Sequence, residues 1–511
     1  MDIKSSNSTK AKAVAVTCVV VIGATIAVLD LYKKRATAKK TLDDDVVEPP
    51  YVSSWIPHVG SALEMSKLGH LQFIQKYTQK CGTPIFSANI MGRLCHFIGD
   101  PLHTQFVFKD WPQFDTQSIA MDFLQKAMGC DKKEIDKAHA SPGWIKQSKE
   151  SFRNHILATQ SIQETVQKAQ SILLYLVDQI SDGEHALFQL VKENIFLASV
   201  EPFVGKDMAD TDYLAAFRDL DRGIPLAMAN APNVTQQKFI AAREMFVQLL
   251  QRESFQENCS PFMKERIRIG SQHGIQQETI ARINLSLFWA SVGNSAPAIF
   301  WTILFVLQDP IAYEQIQKEV DSLPPLSQNT NDGDEESLYS LENLDKCVLI
   351  DSAFKETLRL RAWPFAVKNL VDNVIFDPKQ SDSPKFLLKS GTRIVGNQAV
   401  TYMDPDIFPN PQTFQYDRFV VNQETGQPPS FSKNGKTIAE PLRVFGGGKR
   451  LCPGRKFVAC ETKAYIAVLF RKFHMEIVGK HTFAMAEADK RTANVGVMHP
   501  VEDVMIKFTR R

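Results

Sequence analysis

The chain has 511 residues, 44% of them hydrophobic and 23% charged, with a formal net charge of +2. That composition is ordinary for a globular protein and gives no electrostatic reason to expect nucleic acid as a partner. The eight cysteines (Cys18, Cys81, Cys95, Cys130, Cys259, Cys347, Cys452 and Cys460) are scattered without a CxxC pair, which argues against a disulfide scaffold or structural zinc and for a reduced, cytosol-facing body.

Residues 1–12 form a short polar tail, and Ala13–Tyr32 follows as an apolar run with no charge before Asp30. Its length suits a transmembrane signal anchor. Lys33, Lys34, Arg35, Lys39 and Lys40 follow the run, against Lys4, Lys10 and Lys12 before it. The excess of positive charge after the span places the body in the cytosol. A cleaved signal peptide is the competing reading. Residues 33–57 are a connector, first basic and then rich in proline at Pro49, Pro50 and Pro57, and the prolines stiffen it against helix. Residues 58–511 are read as one large domain.

Within that domain, His70–Gly82 has helical periodicity and ends on glycine, and the stretch around Gly92 reads as a hairpin. Helical patterns dominate from Ile119 to Gly270. Ile280–Leu307 is apolar almost all round, which predicts a buried central helix roughly 40 Å long. A second membrane span is the rival, opposed by Arg282, Asn284, Asn294 and a mid-helix Pro297. A polar loop covers Asp321–Ser340, a further helix ends in KETLRL, and Val371–Ile394 alternates like strands. An irregular stretch rich in Pro, Asp and Gly runs from Tyr402 to Phe445. A last helix from about Pro453 to Phe473 and short strands close the chain. The expected fold class is mainly α with small β-sheets, with function carried by loops and helix ends.

The most specific feature is VFGGGKRLCPGRKF, Val444–Phe457. Gly446, Gly447 and Gly448 allow tight turning and the close approach of a flat ligand. Pro453 can start a helix and Gly454 leaves room against a planar surface. Cys452 then stands at a helix N-terminus, where amide groups and the helix dipole favour a thiolate, and Arg450 adds positive charge. A thiolate so placed is an axial ligand for haem iron. The pattern Phe445-x-x-Gly448-x-Arg450-x-Cys452-x-Gly454 resembles the haem-ligand loop of the cytochrome P-450 family.

That resemblance implies the family's fold in a single haem domain, haem b as cofactor, and Cys452 as the iron ligand. It also implies that Phe445 and Arg450 lie on the ligand side, with Arg450 at a haem propionate. Glu356 and Arg359, one helical turn apart, and Arg418 in FQYDRF match the family's buried triad. Trp144 and Lys146 fall near the propionates by the same correspondence, although Ser148 stands where the family commonly has Arg. On the opposite face the family carries an acid followed by Thr, which relay protons during oxygen activation. Here Gly293 and Asn294 stand in those places, followed by Ser295. Neither Gly nor Asn is a general acid near neutral pH. Two readings of Asn294 stay open. It caps or kinks the helix before Pro297, or it orients a water or substrate oxygen by hydrogen bonding.

Trp289–Trp301 and the YDRF segment resemble the branch of sterol 7α- and 12α-hydroxylases and prostacyclin synthase, which has Asn at this position. The isomerase of that branch has Trp for the Phe and Leu for the Pro of the ligand loop. Phe445 and Pro453 are kept here, which favours a hydroxylase. Family topology places Trp111, Phe123, Phe288, Ala290, Trp363, Phe365 and Val495 around an apolar substrate pocket suited to a sterol, steroid or related lipid. No flavin or nicotinamide domain is visible, so the resemblance implies NADPH-cytochrome P-450 reductase as partner, with cytochrome b5 as a second donor. Lys449, Arg450, Arg455, Lys456 and Lys463 cluster where an acidic donor would be steered. With the anchor, this implies a single-pass protein of the endoplasmic reticulum membrane with its catalytic domain in the cytosol. The alternatives are a reductase-independent isomerase or dehydratase of a lipid peroxide, and a non-catalytic haem- or lipid-binding protein.

Overall fold

The computed structural model describes residues 45–56, 58–326, 338–379, 383–422, 424–479, 487–489 and 496–511. The expected anchor at 13–32, the first part of the connector, part of the polar loop and Val495 lie outside the described residues. The described residues form two compact units, one from those up to Thr116 plus Phe365–Val400, the other from those of Gln117–Pro364 plus Thr401–Arg511.

The smaller unit is built on a six-stranded mixed sheet in the order Tyr51–Val52, Ile85–Ile90, Arg93–Ile98, Arg393–Asn397, Phe365–Leu370, Phe114–Asp115. The Ile85–Ile90 and Arg93–Ile98 strands pair antiparallel across Met91 and Gly92, both at positive φ. That is the two-residue turn whose twist matches a hairpin. The helix His70–Cys81 ends at Gly82 in the left-handed conformation, as its sequence predicts. Ile85, Ile98, Val107, Leu388 and Ile394 form the core of this unit.

The larger unit is mainly helical. Its principal helices are α1 (Pro142–Phe152), α2 (Leu187–Phe203), α3 (Leu214–Met228), α4 (Gln277–Val292), α5 (Ser295–Gln308), α6 (Val348–Arg361) and α7 (Arg455–Lys472). One small antiparallel sheet joins Phe473–Ile477, Met505–Arg510 and Gly183–Ala186. The single 40 Å helix expected from Ile280 to Leu307 is instead two helices, α4 and α5, separated by Gly293 and Asn294. Pro297 explains the break: it has no N–H to bond the Gly293 carbonyl, and its ring crowds the preceding turn. From Ser295 to Val306 every residue of α5 is buried inside the unit, so protein rather than lipid covers its apolar surface. Arg282 is paired with Glu244 at 2.6 Å and Glu278 at 2.7 Å.

One buried group of α7 makes stability depend on pH. Glu461 is 1% exposed, and its Oε1 accepts from Ser199 Oγ on α2 at 2.6 Å. Its Oε2 has no partner among the described residues. Burial pushes the carboxyl from its ordinary 4.5 up to about 8, with the Ser199 bond working against it. The folded state therefore holds a proton that the unfolded chain loses above about 4.5, so this group's stabilisation is complete below 4.5 and drains away as pH rises to 8. Glu461→Gln is expected to flatten that slope and to gain on the order of 3 kcal/mol at pH 8 relative to wild type. Chemical denaturation at pH 5 and pH 8 checks this, and an unchanged pH slope in the variant contradicts it.

Candidate active site

The loop before α7 is folded back on itself. Gly446 (φ +80°) and Gly448 (φ +57°) take left-handed conformations that favour glycine. The reversal lets the Cys452 N–H donate to the Phe445 carbonyl at 2.9 Å. Helix α7 begins at Arg455 rather than Pro453, with Gly454 at its N-cap. Cys452 thus sits just before the helix. Burial pushes its thiol up, while the amides of Gly454 and Arg455 and the Arg455 guanidinium pull the other way. The cation beside this cysteine is Arg455, which also donates to the Cys452 carbonyl at 3.0 Å. Arg450 is exposed, and its charge acts on His139.

Cys452 opens into a cavity within the larger unit, about 1280 Å³ including space open to solvent. Pro453, Gly454, Phe457 and Phe445 share its wall. Leu287, Ala290, Ser291, Asn294, Ser295 and Ala298 of α4, α5 and the break face it from α4 and α5. Phe152, Ile156, Phe203, Phe262 and Met263 add an apolar wall that sequence reasoning did not find. These come from three separated stretches of chain with no shared motif, so no local signal could have marked them.

On the α4–α5 side, Asn294 stands at the N-cap of α5, yet its side chain caps nothing. Its Oδ1 instead accepts the Val497 N–H at 2.8 Å. A Cβ on Gly496 would lie 1.8 Å from that same oxygen, so the neighbouring backbone comes this close only because position 496 is glycine. With the oxygen engaged, the amide NH2 remains as the donor that Asn294 brings to the cavity it lines. Gly293 lies at the break and borders a different cavity.

Glu356, Arg359 and Arg418 come together. The Arg359 guanidinium donates from Nε and Nη2 to the two Glu356 oxygens, both at 2.8 Å, and Arg418 Nε donates to Oε1 at 3.0 Å. Glu356 and Arg359 are fully buried. Arg359 also donates to the carbonyls of Tyr402 (2.7 Å) and Pro411 (2.6 Å) and lies 5.0 Å from the Phe408 ring. The triad therefore fixes the chain between α6 and the ligand loop.

The remaining expected residues spread out. Ala290 lines the cavity. Phe288 is fully buried against Phe196, Phe217 and Phe246, and Phe123 packs on Trp289. Trp363 donates to the Arg359 carbonyl at 3.1 Å. Trp111 stacks on Phe114, and Phe365 meets His70, both within the smaller unit. On α1, Trp144 is buried with Ala138, Ile269, Ile275 and Ile280, while Lys146 is exposed. The same helix carries three buried polar atoms without a protein partner among the described residues: Gln147 Oε1, Ser148 Oγ and Ser151 Oγ.

The cytochrome P-450 family model matches residues 49–506. The chain belongs to the cytochrome P-450 family. The 7-alpha-hydroxycholest-4-en-3-one 12-alpha-hydroxylase of Oryctolagus cuniculus is 25% identical over 485 residues, covering 90% of this chain and 93% of that protein. The cholesterol 7-alpha-monooxygenase of Cricetulus griseus is 23% identical over 487 residues, with the same coverage of 90% and 93%. Among solved structures, the retinoic acid-bound cyanobacterial CYP120A1 aligns with a TM-score of 0.70 and 19% identity, over 92% of this chain and all of that one. The mainly helical architecture with small sheets is the cytochrome P-450 fold. Membership makes the chain a monooxygenase-type oxidoreductase whose cofactor is haem iron held by a cysteine thiolate, served by a redox partner and acting on a hydrophobic substrate.

Proposed function

We propose that this cytochrome P-450 hydroxylates a bulky hydrophobic substrate of the sterol or steroid class, with Cys452 as the axial ligand of its haem. The observation that carries the reading is the cavity itself, with Cys452 on one wall and the broken helix on the other. Its donor set fits haem. A thiol flanked by two helix-end amides and Arg455 is the softest ligand on its rim, and a bound cation reverses the effect of burial on that thiol. The unpartnered Gln147, Ser148 and Ser151 atoms of α1, the helix whose Phe152 lines the cavity, would in this reading serve the propionates, where Ser hydroxyls would donate and the Gln amide would do so once its oxygen and nitrogen are exchanged. In this reading they share the role that the resemblance gives to Arg450, Trp144 and Lys146. Haem bound there supplies the iron chemistry that inserts one atom of dioxygen into a C–H bond.

The chain's own residues exclude water, orient and donate. The apolar walls from Phe152, Ile156, Phe203, Phe262 and Leu287 keep the pocket dry and match a lipid skeleton. Asn294 offers its NH2 in the place of the family's threonine, and the Ser291 and Ser295 hydroxyls stand beside it. The relatives named as sterol hydroxylases support the substrate class. Residues 13–32 serve as the anchor, which places the protein on the endoplasmic reticulum with NADPH-cytochrome P-450 reductase, assisted by cytochrome b5, as electron donor. Lys449, Arg450 and Lys456 are exposed and form the basic face for that partner. Lys463, grouped with them in sequence, is instead buried beside Asp345 at 3.5 Å.

Difference spectroscopy of the ferric protein with a panel of sterols, steroids and fatty acids tests the substrate class. At least one sterol or steroid is expected to displace water and shift the spectrum at low micromolar concentration, about −8 kcal/mol of binding. A response confined to fatty acids overturns the assignment.

A further inference from the structure

The break between α4 and α5 is held from behind. Because Pro297 has no N–H, the Gly293 carbonyl has no donor inside the helix. His499 makes the hydrogen bond to it. The ring places Nε2 3.8 Å from Asp221 Oδ2 on α3. The other oxygen of Asp221 accepts from Trp289 Nε1 at 2.8 Å, four residues before Gly293. One carboxylate and one imidazole therefore grip the end of α4 and the break together. Burial pushes Asp221 up and His499 down from their ordinary values.

The segment that carries His499 also holds the front of the break. The Val497 N–H bonds Asn294 Oδ1 at 2.8 Å. Met498 is fixed at both ends, its N–H donating to the Arg361 carbonyl at 2.8 Å and its carbonyl accepting from Trp301 Nε1 of α5 at 2.6 Å. Three consecutive residues thus tie the Gly293 carbonyl, the Asn294 amide and α5 to one strip of chain. Beside His499 lies a second cavity, about 1260 Å³ including space open to solvent, bordered by Asp221, His499, Gly293 and Pro297, with the exposed Arg222 at its edge. The main cavity is lined by neither Asp221 nor His499.

We propose that His499 and Asp221 are positioning residues for the reaction. They hold the Gly293–Asn294 break in one geometry and so aim the Asn294 NH2 into the pocket, where the family pattern has an acid and a threonine. This rests on the reading of Asn294 as a donor on the reaction side. A buried carbonyl left without its donor costs enough to make the backbone seek another partner, and a small displacement of a positioned group lowers rate far more than it lowers stability.

The test uses the full-length holoenzyme. His499→Leu removes the donor, His499→Gln keeps one, and Asp221→Asn removes the charge at unchanged shape. Two readouts apply: the C–O stretching band of carbon monoxide on the reduced protein, which needs no turnover, and peroxide released per NADPH with the preferred sterol. His499→Leu is expected to shift and broaden the carbon monoxide band and to raise peroxide at the expense of product roughly tenfold, with substrate affinity little changed. His499→Gln is expected to restore most of both, and Asp221→Asn to fall between. A folded His499→Leu protein with the wild-type band and coupling overturns the proposal. Should that variant not fold, Asp221→Asn decides, since it keeps the side-chain shape and removes the charge beside His499: a shifted band supports the proposal and the wild-type band overturns it. If wild type makes no product with reductase, the functional reading fails, and the carbon monoxide band still judges the positioning.

Discussion

The Cys452→Ala variant is expected to lose the thiolate-type carbon monoxide band and all hydroxylation. Every feature of the loop converges on this sulfur. The left-handed turns at Gly446 and Gly448 bring Phe445 and Cys452 into backbone contact, and the Gly454 and Arg455 amides are directed to the thiol. Alanine leaves this backbone intact, because the methylene is kept and the sulfur bonds only to donors that water can satisfy. The expected protein is therefore folded and binds haem weakly or through another ligand. The spectrum of the reduced carbon monoxide complex checks this, and an unchanged thiolate-type band in Cys452→Ala refutes the ligand assignment. Cys460, on α7, offers no substitute, since it is absent from the cavity wall.

Glu356→Ala is expected to cost about 3–5 kcal/mol of stability, because it strands two buried guanidinium groups. Arg359 keeps the Tyr402 and Pro411 carbonyls but loses both Glu356 contacts, and Arg418 loses its contact at Nε. The Gln415 N–H loses its acceptor as well. An exposed helical pair behaves differently: Glu314 and Lys318 lie 2.6 Å apart in solvent, and Glu314→Ala should leave the denaturation midpoint where it is. Denaturant titration of both variants measures the contrast. A Glu356→Ala midpoint equal to wild type would show that the triad contributes nothing.

What sequence makes legible here is local chemistry. The glycine-rich loop carries its turns in its own composition, and Glu356 and Arg359 share a helix face by spacing alone. The helix His70–Cys81 and the hairpin at Gly92 announce themselves through capping and turn residues. Long-range partners are silent by comparison. Asn294 is bonded by a residue 203 positions away, and Trp289 meets Asp221 across 68. Pro297 is visible in the sequence, but the donor that answers it, His499, is a lone histidine in no motif. Nothing local to Trp144 tells that it is buried with Ile269, Ile275 and Ile280, more than a hundred positions along the chain.

The most direct test of the account is turnover of sterols under ¹⁸O-labelled dioxygen, with and without NADPH-cytochrome P-450 reductase, beside a panel of lipid peroxides. A hydroxylase predicts a product carrying one labelled oxygen atom, formed only when reductase and NADPH are both present. An unlabelled product, formed from a lipid peroxide in the absence of reductase, would contradict it.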